Sequence, residues 1–330
     1  LILDIYTHLF PTRYLDRLSR SGSGLGGIAA RMKGTPQIVD LGARFREMDK
    51  YGDYAQVLAL PHPVIEEVAP PSDTADLARL ANDEMAEIVA QYPDRFPAWV
   101  ATVVLTDIDA AMKEADRAIR DLGARGVQIY TNVVGRPLDL PEFRPFFAAM
   151  ADHDWPIWLR PARTPGYLPD YTSETKSRFE MWWCFGWPYE TAVALSRLVF
   201  SGLFDRHPDL KVITHHLGGM IPFFDGRIGA GMEFLGSRTS DEDYAKVLPS
   251  LKRPHLDYFR ELYADTAMFG GTAGISAGLS FYRADHVVFA TDAPFGPIDA
   301  CLAALQSADL DAAGRQQVLY ANAARLLKLL

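Results

Sequence analysis

Two adjacent histidines, His215 and His216, stand between a short β-branched run, 212–214, and the turn residues Gly218, Gly219 and Pro222. A buried strand that ends in imidazoles and then turns on glycine places polar groups where α/β enzymes carry their chemistry, at the carboxyl end of a parallel sheet. The glycines let a ligand approach the backbone with no side chain in the way. Taken alone, the pair can equally cap a strand and bond to nearby backbone. Its company argues for more. Polar residues stand at or just past the end of every strand-like run: Tyr6 and His8, His62, Thr102, Tyr130, Arg160, His215 and His216, Asp265, and Asp292. If those ends share one mouth, they share one cup. Imidazoles titrate near neutral pH and serve as acids, bases or metal ligands. His8, His216 and Asp292 suffice in number for a three-ligand catalytic metal. His62, between two prolines, reads more simply as structural, and Asp292, beside Thr291 and Pro294, reads as site or helix cap.

The elements that must position these residues alternate. Strand-like runs fall at 1–5, 56–60, 96–102, 126–130, 156–160, 211–214, 262–265 and 286–291. Helical periodicity occupies 41–51, 72–92 (with Ser72 or Asp73 as cap), 107–122 (opened by Asp107), 141–153, 189–204 and the stretch from 300 onward. Residues 12–38, with Gly22, Gly24, Gly26 and Gly27, read as a long loop. Eight runs separated by helix-sized segments predict a parallel sheet closed into a (β/α)8 TIM barrel, a single domain over residues 1–330. An open doubly wound sheet ranks second, since no G-x-G-x-x-G follows the first run. Residues 161–187 break the rhythm with Pro161, Pro165 and Pro169, then Trp182, Trp183, Phe185 and Trp187. This stretch reads as an insertion, either a lid that walls a flat substrate or a subunit interface.

Composition narrows the function. The chain has 330 residues, 48% hydrophobic and 23% charged, which are globular values. With 33 basic and 42 acidic residues the net charge is −9, so no basic surplus exists to neutralise nucleic-acid or anionic-lipid phosphates. An anionic small molecule remains compatible, because a local pocket can be positive on an acidic protein. Cys184 and Cys301 form no C-x-x-C and are too few for a disulfide scaffold. The opening run 1–5 is too short for a signal peptide, and no apolar run reaches the roughly 18 residues of a membrane span. The expectation is a cytoplasmic homodimer acting on a small anionic or cyclic molecule.

The motifs resemble those of a known family. Asp4-Ile5-Tyr6-Thr7-His8-Leu9-Phe10-Pro11, Arg46-Glu47-Met48-Asp49-Lys50-Tyr51-Gly52 with Val57-Leu58-Ala59-Leu60, and Trp158-Leu159-Arg160-Pro161 are similar to amidohydrolase-superfamily motifs. So are Gly186-Trp187-Pro188-Tyr189-Glu190-Thr191-Ala192, Phe204-x-x-His207-Pro208-Asp209-Leu210-Lys211, His216-x-Gly218-Gly219-x-x-Pro222 and Thr291-Asp292-x-Pro294. The resemblance is to the aminocarboxymuconate-semialdehyde decarboxylase-like branch and spans essentially the whole chain. It implies the (β/α)8 barrel. It also implies, in metal-bearing members, two ligands from the opening motif, a His from the fifth strand, an Asp from the eighth, and a catalytic or ligating His in the H-x-G-G turn. His8, His216 and Asp292 match; Tyr6 and Arg160 stand where the family has other ligands.

Those departures predict a site without metal. A guanidinium is always protonated and cannot ligate. At ~4 Å from a dication, with an effective dielectric of ~20, it is repelled by roughly 8 kcal/mol. Tyr6 ligates only as phenolate, against an ordinary pKa near ~10. Arg160 is then expected to replace the metal as electrophile, with no cofactor; the alternative is zinc or another divalent ion held weakly by His8, His216 and Asp292. The expected reaction is a decarboxylase-like lysis of a small cyclic or aromatic carboxylic acid, with Asp292 or His216 protonating carbon and His8 assisting. Tyr6, His62, Tyr130, Arg163, His215 and Trp183 are expected to bind substrate. The alternative reaction is metal-independent hydrolysis of a lactone, ester or 1,3-dicarbonyl. A barrel that binds ligand without catalysis is third, and His8, His216 and Asp292 together argue against it.

Overall fold

A computed structural model describes residues 1–21, 25, 28–164, 166–240 and 243–329. The strands are β1 (Ile2–His8), β2 (Tyr54–Ala59), β3 (Ala98–Trp99), β4 (Ala101–Thr102), β5 (Val127–Tyr130), β6 (Asn132–Val133), β7 (Arg136–Pro137), β8 (Ile157–Arg160), β9 (Val212–Thr214), β10 (Tyr263–Asp265) and β11 (Val287–Val288). Apart from the small antiparallel β6–β7 hairpin, all pairs are parallel, in the orders β1-β2-β3 and β4-β5-β8-β9-β10-β11. β3 and β4 are one run divided at Val100, whose N–H still donates to Leu58 O at 2.9 Å. The first and last runs also meet: Ile5 N–H donates to Phe289 O at 3.0 Å, and Asp292 N–H to Tyr6 O at 3.2 Å. Eight parallel runs in one ring are the (β/α)8 barrel.

Burial explains why these segments are strands. Every residue of β2, β5, β8 and β9 is buried, as parallel strands covered by helices must be. Leu3, Ile5, Val57, Val100, Trp158, Ile213 and Val288 pack in one cluster. The Trp158 indole N–H donates to Ile5 O at 3.2 Å, tying β8 to β1. The helices bury their inner faces, for example Phe146, Phe147 and Met150 on Arg144–His153 and Leu195, Leu198 and Val199 on Gly186–Phe200.

Several boundaries depart from expectation. β1 extends to His8, so Tyr6 and His8 lie within the strand, because pairing with β2 continues past a register shift between Asp4 and Thr7. The stretch 12–38 is not one loop: it contains helices Thr12–Arg20 and Ile28–Lys33, the first burying Tyr14 and Leu18. Gly22, Gly24, Gly26, Gly27 and Pro165 lie outside the described residues. Neither Ser72 nor Asp73 caps the next helix, which starts at Pro71 with no side-chain cap. Asp107 does cap, accepting from Ala110 N–H. The helix expected at 189–204 begins at Gly186, and Trp182 and Trp183 ride on a short helix, Met181–Cys184, just before it. No described helix is long and apolar enough to cross a membrane.

Candidate active site

The barrel's carboxyl ends deliver the polar side chains by backbone placement. Arg160 is the last residue of β8 and Asp265 of β10; His215 and His216 follow β9, and Asp292 follows β11. Three of the turns hold left-handed backbone at residues that rarely adopt it: His216 (φ 53°), Leu217 (φ 49°), Phe269 (φ 52°) and Asp292 (φ 63°). Such strain costs on the order of 1–3 kcal/mol per residue and persists only where surroundings enforce it. Beside His216, Gly219 has φ 64°, and a Cβ there would lie 2.3 Å from Pro188 O. Only glycine lets this turn pack against the aromatic helix.

Two carboxylates order the imidazoles. His8 Nε2 donates to Asp292 Oδ1 at 2.7 Å, both groups buried. His215 Nδ1 donates to Asp265 Oδ2 at 2.6 Å, while Asp265 Oδ1 accepts the His216 and Ala267 N–H groups. His215 Nε2 therefore has no hydrogen-bond partner and lies 3.8 Å from Asp292 Oδ1. Its ring centroid lies 3.7 Å from that of His216, with the rings tilted by 38°. Burial holds His8 and His215 well below the usual imidazole range, and the Arg160 cation adds to the effect. Burial and the neighbouring His215 lower His216 to about 3. Burial pushes Asp265 up to about 7, against the pull of His216. The imidazoles are thus neutral at physiological pH.

A cleft of about 1310 Å³ opens over this cluster. Of the expected site residues, Arg160, Asp292, His62, Arg163 and Trp183 line it. His62 stacks on Trp187 at 5.0 Å and bonds Pro161 O through Nε2. Arg163 is paired with Glu190 at 3.1 Å, so it serves the wall rather than standing free as a clamp. His8, Tyr6, Tyr130, His215 and His216 do not line the cleft; His216 packs at 6.5 Å on Phe269, which does. Tyr6 does not reach a substrate as expected, because it is 1% exposed and its hydroxyl donates to Gln128 Oε1 at 2.9 Å. Gln128 Nε2 in turn donates to Leu60 O and Tyr130 OH. Sequence reasoning missed Gln128, whose signal was a lone amide inside an apolar strand. It also missed Glu66 and Glu67, which carry no local signature, and the pairing of Glu190, inside the Gly186–Ala192 motif, with Arg163.

The donor set suits a divalent cation. His215, His216 and Asp292 each offer a ligand atom, and these atoms lie within 4.8 Å of one another. An imidazole fixed through Nδ1–H by a carboxylate, with Nε2 left bare, is how proteins orient a metal-ligating histidine. The set differs from the anticipated one: His215 takes the place of His8, whose Nε2 is engaged by Asp292. Arg160 does not fill the space. Its Nη1 donates to Leu60 O at 3.3 Å, its charge lies 5.7 Å over the Tyr6 ring, and among the described residues it has no ion pair.

The amidohydrolase family profile matches residues 4–329. The chain is 34% identical over 300 residues to the gamma-resorcylate decarboxylase of a Rhizobium species, covering 87% of this chain and 86% of that protein. A crystal structure of 2,6-dihydroxybenzoate decarboxylase complexed with 2,6-dihydroxybenzoate superposes with TM-score 0.79 at 28% identity, covering 99% of this chain and 98% of the other. A dihydroxybenzoic acid decarboxylase from a Polaromonas species, with bound manganese and the inhibitor 2-nitroresorcinol, gives TM-score 0.79 at 26% identity, covering 99% and 97%. That manganese, together with the His215–His216–Asp292 cluster, overturns the expectation of a site without metal. The Arg160 guanidinium bonds Leu60 O and lies over the Tyr6 ring, and His215 offers the imidazole that the fifth strand lacks. In sequence, motif and fold, the chain belongs to the amidohydrolase family, in its decarboxylase-like branch.

Proposed function

We propose that this enzyme is a lyase that decarboxylates a small aromatic carboxylic acid with the help of a divalent metal ion. The observation that carries the reading is that Arg160 and Asp292 line one aromatic-walled cleft without forming an ion pair with each other. A fixed cation free of any carboxylate is suited to hold the substrate's carboxylate. Trp182, Trp183, Trp187, Phe269 and Phe295 supply flat apolar surface for the ring. The relatives named as decarboxylases of dihydroxylated benzoic acids support the same substrate class.

His215, His216 and Asp292 would hold the ion, which would supply positive charge for substrate oxygens. Arg160 orients the carboxylate. A proton taken up by Asp292, whose Oδ1 is bonded to His8, passes to the ring carbon that bears the carboxylate. The carbon–carbon bond then breaks, its electron pair returns to the ring, and carbon dioxide leaves. Water is not consumed. Of the two anticipated acids, Asp292 lines the cleft and His216 does not, so Asp292 is favoured.

The test is product analysis after incubation with a panel of aromatic acids in deuterium oxide. Equimolar carbon dioxide and one deuterium at the vacated ring position are expected. Hydrolysis products, or no carbon dioxide from any acid, would sink the reading.

A further inference from the structure

Four carboxyl groups line the cleft, and three have partners. Asp292 accepts from His8, Glu66 Oε1 accepts the Leu105 N–H at 3.0 Å, and Glu180 Oε2 accepts the Trp183 indole N–H at 2.9 Å. Among the described residues the Glu67 side chain has no hydrogen bond and no ion pair. It stands on the short helix Ile65–Val68, half-buried, where it lines the cleft. Arg163, a cation of the same wall, is held by Glu190 instead. A half-buried carboxyl without a partner is costly, and a ligand that brings a donor removes that cost.

Glu67 and Arg160, the carboxylate-holding cation, line the same cleft. Burial, reinforced by Glu66, raises Glu67 to about 7, so near neutral pH it both accepts and donates hydrogen bonds.

We propose that Glu67 selects the substrate, favouring aromatic acids whose ring carries a hydrogen-bonding hydroxyl or amino group over those with an apolar substituent of the same size. This rests on the reading of the cleft as an aromatic-acid site. A site built to bond a polar substituent rejects the apolar analogue because its own group is left unpaired.

The test reads binding, not turnover, from quenching of tryptophan fluorescence, since Trp182, Trp183 and Trp187 line the cleft. The protein is titrated with benzoate and with its hydroxy-, amino- and methyl-substituted derivatives. Hydroxy and amino compounds are expected to bind wild type about tenfold to a hundredfold more tightly than the methyl compounds. Glu67→Ala should bring that ratio to near one while leaving affinity for unsubstituted benzoate in place. Glu67→Gln, which still accepts and donates, should retain part of the preference. An undiminished ratio in Glu67→Ala, or a wild type that does not discriminate, overturns the role of Glu67 and leaves the aromatic-acid site standing. A wild type that binds none of these acids overturns the aromatic-acid reading and the Glu67 proposal together.

Discussion

Asp292 accepts a hydrogen bond from His8 and borders the cleft beside Arg160, so a substitution there can separate charge from shape. Asp292→Asn keeps size but removes charge and acidity. Positioned proton transfer is worth ~10²–10⁴-fold, so turnover should fall at least about a hundredfold with circular dichroism unchanged. His216→Asn should act similarly, and the double variant should lose little more than either single, because groups acting as one unit are non-additive. Near-normal kinetics in both singles would place the chemistry elsewhere. Asp4 offers a test of another kind. Buried, and accepting from Thr291, Tyr54 and Tyr6, it is pushed up from 3.8 to about 7 by burial. The folded state then binds this proton more tightly than the unfolded chain does. Its contribution to stability is fully present below pH ~4 and is lost as pH rises toward ~7, at about 1.4 kcal/mol per pH unit. Urea denaturation across that range should show a shallower decline in Asp4→Asn than in wild type. Equal slopes would mean that Asp4 does not titrate there.

At the scale of elements, the decisive contact is between the turn after β9 and the helix Gly186–Phe200. Gly219 meets Pro188 backbone closely at positive φ, and the same helix carries Trp187 against His62. Gly219→Ala brings both a strained φ and a backbone clash. It should lower unfolding free energy by about 1–3 kcal/mol. Because His216 lies three residues before Gly219, turnover should fall as well. Thermal melts and kinetics check this together; a variant with wild-type stability would show that the turn can shift freely. The stretch 161–187 had two readings, lid or interface. Trp182, Trp183 and Trp187 line the cleft, which supports the lid.

For the whole molecule, ligand sets from separate strands make metal binding a property of the closed barrel. His215 and His216 follow β9, Asp292 follows β11, and Asp265 on β10 orients His215 between them. An ion that binds only the folded state stabilises it by about 2.7 kcal/mol at a hundredfold excess over Kd. Manganese or zinc added after chelator treatment should therefore raise Tm by several degrees. His215→Asn combined with Asp292→Asn should remove the shift. Asp265→Asn should weaken metal affinity about 10- to 100-fold, because a carboxylate that orients a ligating imidazole is worth that much. No Tm shift in wild type would return the site to a purely organic acid–base centre.

The barrel was legible in the sequence because its period is local: short β-branched runs alternate with amphipathic helices, and each burial pattern is written in neighbouring residues. Arg160, Asp292 and His62 were legible as cleft residues for the same reason, since they end strands. Boundaries were less so. β1 runs on through Tyr6 and His8 because β2 continues to pair with it, which no local preference reveals. What only the tertiary structure decided is which imidazole faces which carboxylate. His8 and His215 are separated by more than two hundred positions, and the motif favoured His8 as ligand. In the folded chain His8 donates to Asp292, while Asp265 turns the bare Nε2 of His215 toward that carboxylate. The direction of Arg160 was equally hidden. A guanidinium on a flexible stem is placed by the acceptor it finds, here Leu60 O just past β2, a strand that does not pair with β8, and a linear sequence does not say which acceptor will be nearest.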